Sequence, residues 1–185
     1  MPALIVVAVI VVLLIISVIG VYNALIRLRN QVDNSWSQID VQLKRRHDLI
    51  PNLVETAKGY MKHERETFEA ITNARSQAMG AKTVSEASKA EGALGETLSR
   101  FMLVVENYPD LKANQNFLAV QEELTSTENK ISFARQSYND QVLFFNNKIQ
   151  MFPSNIVANM FNFGKRDFFE LESAAEREVP KVSFS

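Results

Sequence analysis

The two histidines, His47 and His63, are the side chains here best suited to acid–base or metal chemistry, and their neighbours decide what they support. HERETF, residues 63 to 68, resembles the start of a zinc-protease helix, but the second histidine of H-E-x-x-H falls at position 67, which is Thr. A di-metal carboxylate site in a helical bundle needs Glu-x-x-His on two helices. Here Lys44 and Tyr60 stand three residues before the histidines, so that motif is absent. With 0 Cys, thiolate nucleophiles, disulfides and cysteine metal sites are excluded together. No serine or threonine elbow and no phosphate-cradling glycine loop occurs. The sequence therefore predicts no catalytic, cofactor-binding or metal-ligating residue, hence no enzyme and no cofactor, and both histidines read as lone surface residues.

The run Lys44, Arg45, Arg46, His47 raises nucleic-acid binding, which the spacing argues against. Four consecutive helical residues spread around the axis, and Asp40 and Asp48 are spaced to pair with Lys44 and Arg45. The chain has 20 basic and 21 acidic residues and a net charge of -1, so no global field attracts a polyanion. No nucleic-acid partner is expected.

Charges that fall on otherwise apolar helical stripes carry more information. Arg46 and Glu64 do so in the first half of the chain, and Glu128, Arg135 and Asn139 in the second. A bundle interior holds charge only when it is paired and hydrogen-bonded, so these types predict a buried polar layer that fixes helix register or serves as a partner site. Asp48, Glu55 or a carboxylate across the bundle are the counter-charges considered for Arg46.

The elements that must position these residues are helical. Only 6 Gly and 5 Pro punctuate 185 residues. Leu25, Leu28, Val32, Trp36, Ile39, Leu43, then Ile50, Leu53, Ala57, Tyr60, Phe68 and Ile71 step by threes and fours, which is one helix face. Val84, Ala87, Leu94, Leu98, Phe101 and Val105 form a second stripe, preceded by a loop and cap near Gly80 and Ser85 to Ser88 and stopped by Pro109. The third stripe, Phe117, Val120, Leu124, Thr127, Ile131, Ala134, Tyr138, Val142, Phe145 and Ile149, is nearly heptad and predicts coiled-coil-like packing at shallow angles. Pro51 either kinks the first helix or ends it. The fold class predicted is all-α, an up-and-down antiparallel helical bundle of three long helices, or four if the first breaks at Pro51.

From Ala3 to Tyr22 the sequence ALIVVAVIVVLLIISVIGVY has no charge. About 20 such residues in a helix span roughly 30 Å, the hydrocarbon thickness of a bilayer. A cleaved signal peptide would need a basic start, a shorter apolar stretch and a small-residue cleavage site, none of which is present. The organisation expected is a transmembrane anchor over 1–23 that meets lipid through residues 3–22, a bundle over 24–152, and a short helix with a C-terminal tail over 153–185. Arg27 and Arg29 follow the apolar run, and the positive-inside rule then puts the bulk of the chain in the cytoplasm. The Phe-rich stretch FPSNIVANMFNFGKRDFFEL reads as a cover for the bundle end, with a place at the membrane interface as the other reading.

YNALIRLRNQVDNSWSQIDVQLKRRHDLIPNLVETAKGYMKHE, ENYPDLKANQNF and TENKISFARQSYNDQVLFFN, in that order, resemble the LemA family of bacterial membrane proteins. The resemblance runs from the apolar N-terminus to about Phe163. It implies a bacterial inner-membrane protein with one membrane helix, an antiparallel helical bundle and no established enzymatic activity. Relatives include a magnetosome-membrane protein, and members encoded beside membrane metalloproteases imply such a protease as a partner. Some relatives carry a lipoprotein cysteine where this chain has Gly20 and Val21, which implies an extracytoplasmic bundle for those and makes that placement the other reading for this chain. The function expected is a membrane-anchored, self-associating scaffold or adaptor; a sensory or ligand-binding bundle and an accessory subunit of a membrane protease are the alternatives. Long heptad-like faces on an anchored chain predict a homo-oligomer.

Overall fold

The computed structural model describes residues 1–170. Six helices follow in order: α1 Pro2–Lys58, α2 Arg65–Gly80, α3 Val84–Val105, α4 Pro109–Lys112, α5 Gln115–Gln150 and α6 Ser154–Met160. No strand occurs among the described residues. The fold is all-α, with one apolar N-terminal helix leading into long packed helices. The C-terminal tail expected from sequence lies outside the described residues beyond Glu170.

The first helix neither ends at Pro51 nor runs on to Ile71. It passes through Pro51 and stops at Lys58, and α2 starts at Arg65. Four long helices result, with the break later than the proline. Tyr60 and Met61 N–H groups both donate to the Ala57 carbonyl, closing α1, and Met61 is fully buried. Tyr60, placed on the apolar stripe by its spacing, is exposed because the helix has already ended. The cap of α3 is Thr83 rather than the serines that follow it: its hydroxyl accepts from Glu86 N–H while the Glu86 carboxylate accepts from Thr83 N–H, a reciprocal capping box. Pro109 occupies the first turn of the short α4, where its missing N–H costs nothing.

The chain forms two compact units. Unit 1 holds Met1–Asp40 and Phe133–Asp167; unit 2 holds Val41–Ser132 and, of the described residues after it, Phe168, Phe169 and Glu170. In unit 1, α1 and α5 run antiparallel, with Leu25, Val32 and Ile39 buried on one and Tyr138, Val142, Phe145 and Ile149 on the other. The segment after α6 is strapped down by side chains. Asn146 Nδ2 donates to the Arg166 carbonyl and its Oδ1 accepts from Arg166 N–H, both at 2.9 Å, while Tyr138 Oη donates to the Asp167 carbonyl at 2.8 Å. Arg166 also meets Asp33 at 3.0 Å.

Unit 2 is built around Ile50, Leu53, Ala57 and Met61 of α1 and the corner after it, Phe68 and Ile71 of α2, Leu94 and Phe101 of α3, and Phe117 and Leu124 of α5. Phe101 stands between Phe68 and Phe117, with ring centroids 6.3 and 6.4 Å away, near-optimal for tilted aromatic packing.

Residues 2–17 of α1 are exposed along their whole length. A helix this long, with its apolar stretch wholly unburied, has the length and composition to cross a bilayer.

Candidate functional site

The polar site assembles in unit 2 around Arg46. At this point on α1 the side chain faces inward, and it is buried along with the adjacent His47. Arg46 Nη1 donates to Glu91 Oε2 at 3.3 Å and lies 3.2 Å from Glu128 Oε2. The second oxygen of Glu91, Oε1, is 2.6 Å from His47 Nε2, a geometry that fits the ring N–H donating to the carboxylate. Both oxygens of the buried Glu91 are thereby engaged, which is the condition for keeping a charge out of water. Gly95, one turn beyond Glu91 on α3, faces the guanidinium: a Cβ there would stand 3.5 Å from Arg46 Nη2, in ordinary contact.

Pro51 is coupled to this site through its missing donor. A helical residue at 51 would offer its N–H to the His47 carbonyl, and proline cannot. Arg75 on α2 supplies the replacement, its Nε donating to the His47 carbonyl at 2.7 Å. The proline thus stays inside a helix because a side chain from the neighbouring helix satisfies the carbonyl it leaves open.

The residues singled out in the sequence divide. Arg46 and Glu128 meet. Asp48 and Glu55 are exposed and stand apart: two and nine residues from Arg46 correspond to rotations of about 200° and 180° around the helix, the opposite face. Glu55 instead pairs with Lys58 at 3.3 Å. Glu64 is half-buried at the start of α2, accepting from Tyr108 Oη at 2.9 Å and Thr67 Oγ1 at 3.3 Å. That contact, with burial adding to it, holds the Tyr108 phenol above its ordinary range. Arg135 and Asn139 are half-buried on the unit 1 part of α5.

The central carboxylate, Glu91, escaped the sequence reading, as did the burial of His47. Ala87 and Leu94 stand seven apart, and Glu91 fills the missing step of that stripe, so the signal was there. His47 is no lone surface residue, whereas His63 is exposed. Arg45 pairs with Glu123 on α5 rather than with an aspartate on its own helix.

Among the described residues no group of three or more His, Cys, Asp or Glu side chains is arranged to hold a metal ion. A cleft of about 470 Å³ opens between the end of α1 and the start of α2, lined by Val54, Lys58, Lys62, Arg65, Phe68 and Glu69 among others; neither Arg46 nor Arg135 borders it.

These features define a helical-bundle protein attached to the membrane through one N-terminal helix. The chain belongs to the LemA family, whose sequence profile matches residues 35–184. It is a single-pass protein of the bacterial inner membrane. Protein LemA of Metamycoplasma hominis is 29% identical over 166 residues, covering 89% of this chain and 73% of that protein. Magnetosome protein MamQ 2 of Paramagnetospirillum magneticum is 23% identical and magnetosome protein MamQ of Magnetospirillum gryphiswaldense 21%, each over 184 residues covering 85% of this chain and 68% of theirs.

Proposed function

We propose that this protein is a non-enzymatic, membrane-anchored scaffold or adaptor that associates with copies of itself. The observation that carries this reading is the buried polar cluster: Arg46 and His47 each engage one oxygen of Glu91 and leave that carboxylate no free oxygen, which suits a device for helix register better than a site awaiting substrate. The exposed Phe133 and Phe144 on α5 supply apolar surface for a homotypic contact. Arg27 and Arg29 favour a cytoplasmic bundle, and a reporter fused after Ser185 is expected to be active on that side only.

Co-expression of two differently tagged copies tests the reading. Solubilised in mild detergent, one tag is expected to bring down the other. Recovery of a membrane metalloprotease in place of the second copy would favour an accessory-subunit role instead. The cleft beside Lys62 is what favours a ligand-binding bundle as the second reading, since Val54, Met61 and Phe68 give it an apolar floor under a charged rim.

A further inference from the structure

In unit 1 the apolar run of α1 ends at Tyr22, and the C-terminal end of the short α6, which forms the corner with α5, packs there. Burial along α1 begins at Val18 and is complete at Leu25. The Tyr22 ring meets Phe161 at 4.7 Å and Phe163 at 5.9 Å, and the Arg29 guanidinium lies 5.7 Å from the Phe163 ring. The corner therefore stands beside the point where α1 leaves the hydrocarbon. Its position is fixed by a Schellman ending on α6: Phe163 N–H donates to the Ala158 carbonyl, Asn162 N–H to that of Asn159, and Asn162 takes the left-handed conformation at φ 56°.

The inner face of α6, Ser154, Val157 and Ala158, is buried, as a bundle cap requires. Its outer face is apolar too. Ile156 is 54% exposed and Met160 62%, four residues apart on one outward stripe of α6, and Phe152 in the turn before the helix is 80% exposed. Capping the core explains the inner face and leaves the outer one unaccounted for.

The charges around the corner are mostly cationic, with Asp33 paired to Arg166 at 3.0 Å and Asp140 and Asp167 bounding the run. From Gln141 to Arg166 the ionisable residues are Lys148, Lys165 and Arg166, with no carboxylate, and α1 adds Arg27 and Arg29 before its first acid, Asp33. Cations flanking an apolar stripe at the end of a membrane span match the layered chemistry of an anionic bilayer surface.

We propose that the α5–α6 corner is a second membrane-binding element, inserting Phe152, Ile156 and Met160 into the interfacial layer of the leaflet from which α1 emerges. Two separate attachments would hold unit 1 against the bilayer. The span alone would leave it free to tilt.

The absence of cysteine makes the test direct. Single cysteines are introduced by Phe152→Cys, Met160→Cys and, as an aqueous control on α5, Gln136→Cys. Each full chain is spin-labelled and placed in nanodiscs of phosphatidylcholine and phosphatidylglycerol. At 152 and 160 relaxation by oxygen is expected to exceed relaxation by a water-soluble nickel chelate, with the order reversed at 136. Nickel accessibility at 152 and 160 equal to that at 136 would overturn the proposal. So would shielding from both reagents with spin–spin broadening between chains, which would mean that a second copy covers the stripe. All three positions are exposed, so circular dichroism matching the parent chain is expected for each variant.

Discussion

Arg46 illustrates how a charge is kept in a helical core. Removing it leaves Glu91 buried with half its partners, so Arg46→Ala is expected to destabilise the fold by about 3–5 kcal/mol. Pairing Arg46→Met with Glu91→Gln removes both charges while retaining an acceptor for His47, and should recover most of that loss. Urea denaturation followed by circular dichroism measures both; equal stabilities of Arg46→Ala and the double variant would contradict the account. Tyr138 gives a pH signature. Its phenol is pushed up to about 12 by burial, with Arg166 pulling the other way and the carboxylates of Asp167 and Asp33 adding to the rise. A raised folded pKa means that this contribution to stability is fully present below pH 10 and is lost as pH rises through about 12. Titration of phenolate absorbance is expected to show Tyr138 ionising last or together with unfolding, and its ionisation with the exposed Tyr60 would refute this. Arg46 was legible in the sequence because it interrupts an apolar stripe on its own helix. Its partners were not, since helical periodicity says which face a residue takes and nothing about which face of another helix meets it.

At the scale of elements, Pro51 shows where local rules give way to tertiary contacts. Proline disfavours the helix at Ile50 and leaves the His47 carbonyl open, yet α1 continues because Arg75 donates to that carbonyl. Arg75→Ala should therefore cost more in the parent chain than in a Pro51→Ala background, where the restored N–H competes for the same oxygen. The expected coupling is about 1 kcal/mol in a double-mutant cycle. Additive effects would show that the contact contributes nothing. The long stripes were legible: every apolar position assigned to the third helix is buried or half-buried. The break at residues 59–64 was not, because it lacks a proline and its single Gly59 is a weak signal. The stripe itself held the clue, for Glu64 interrupts it at the residue just before α2.

At the scale of the whole molecule, one helix joins the membrane span to the packed bundle, and the chain carries apolar surface beyond what its own units bury. Phe133 is 74% exposed and Phe144 58%, both on α5 in unit 1. Anchoring confines such surfaces to two dimensions, which raises their effective concentration for one another. In the proposed reading the α5–α6 corner faces lipid and the α5 face meets a neighbouring copy. Cross-linking in native membranes over a series of cross-linker concentrations tests the self-association claim most directly. Discrete homo-oligomer bands that strengthen with cross-linker are the result expected, and a monomer band alone at every concentration would contradict it.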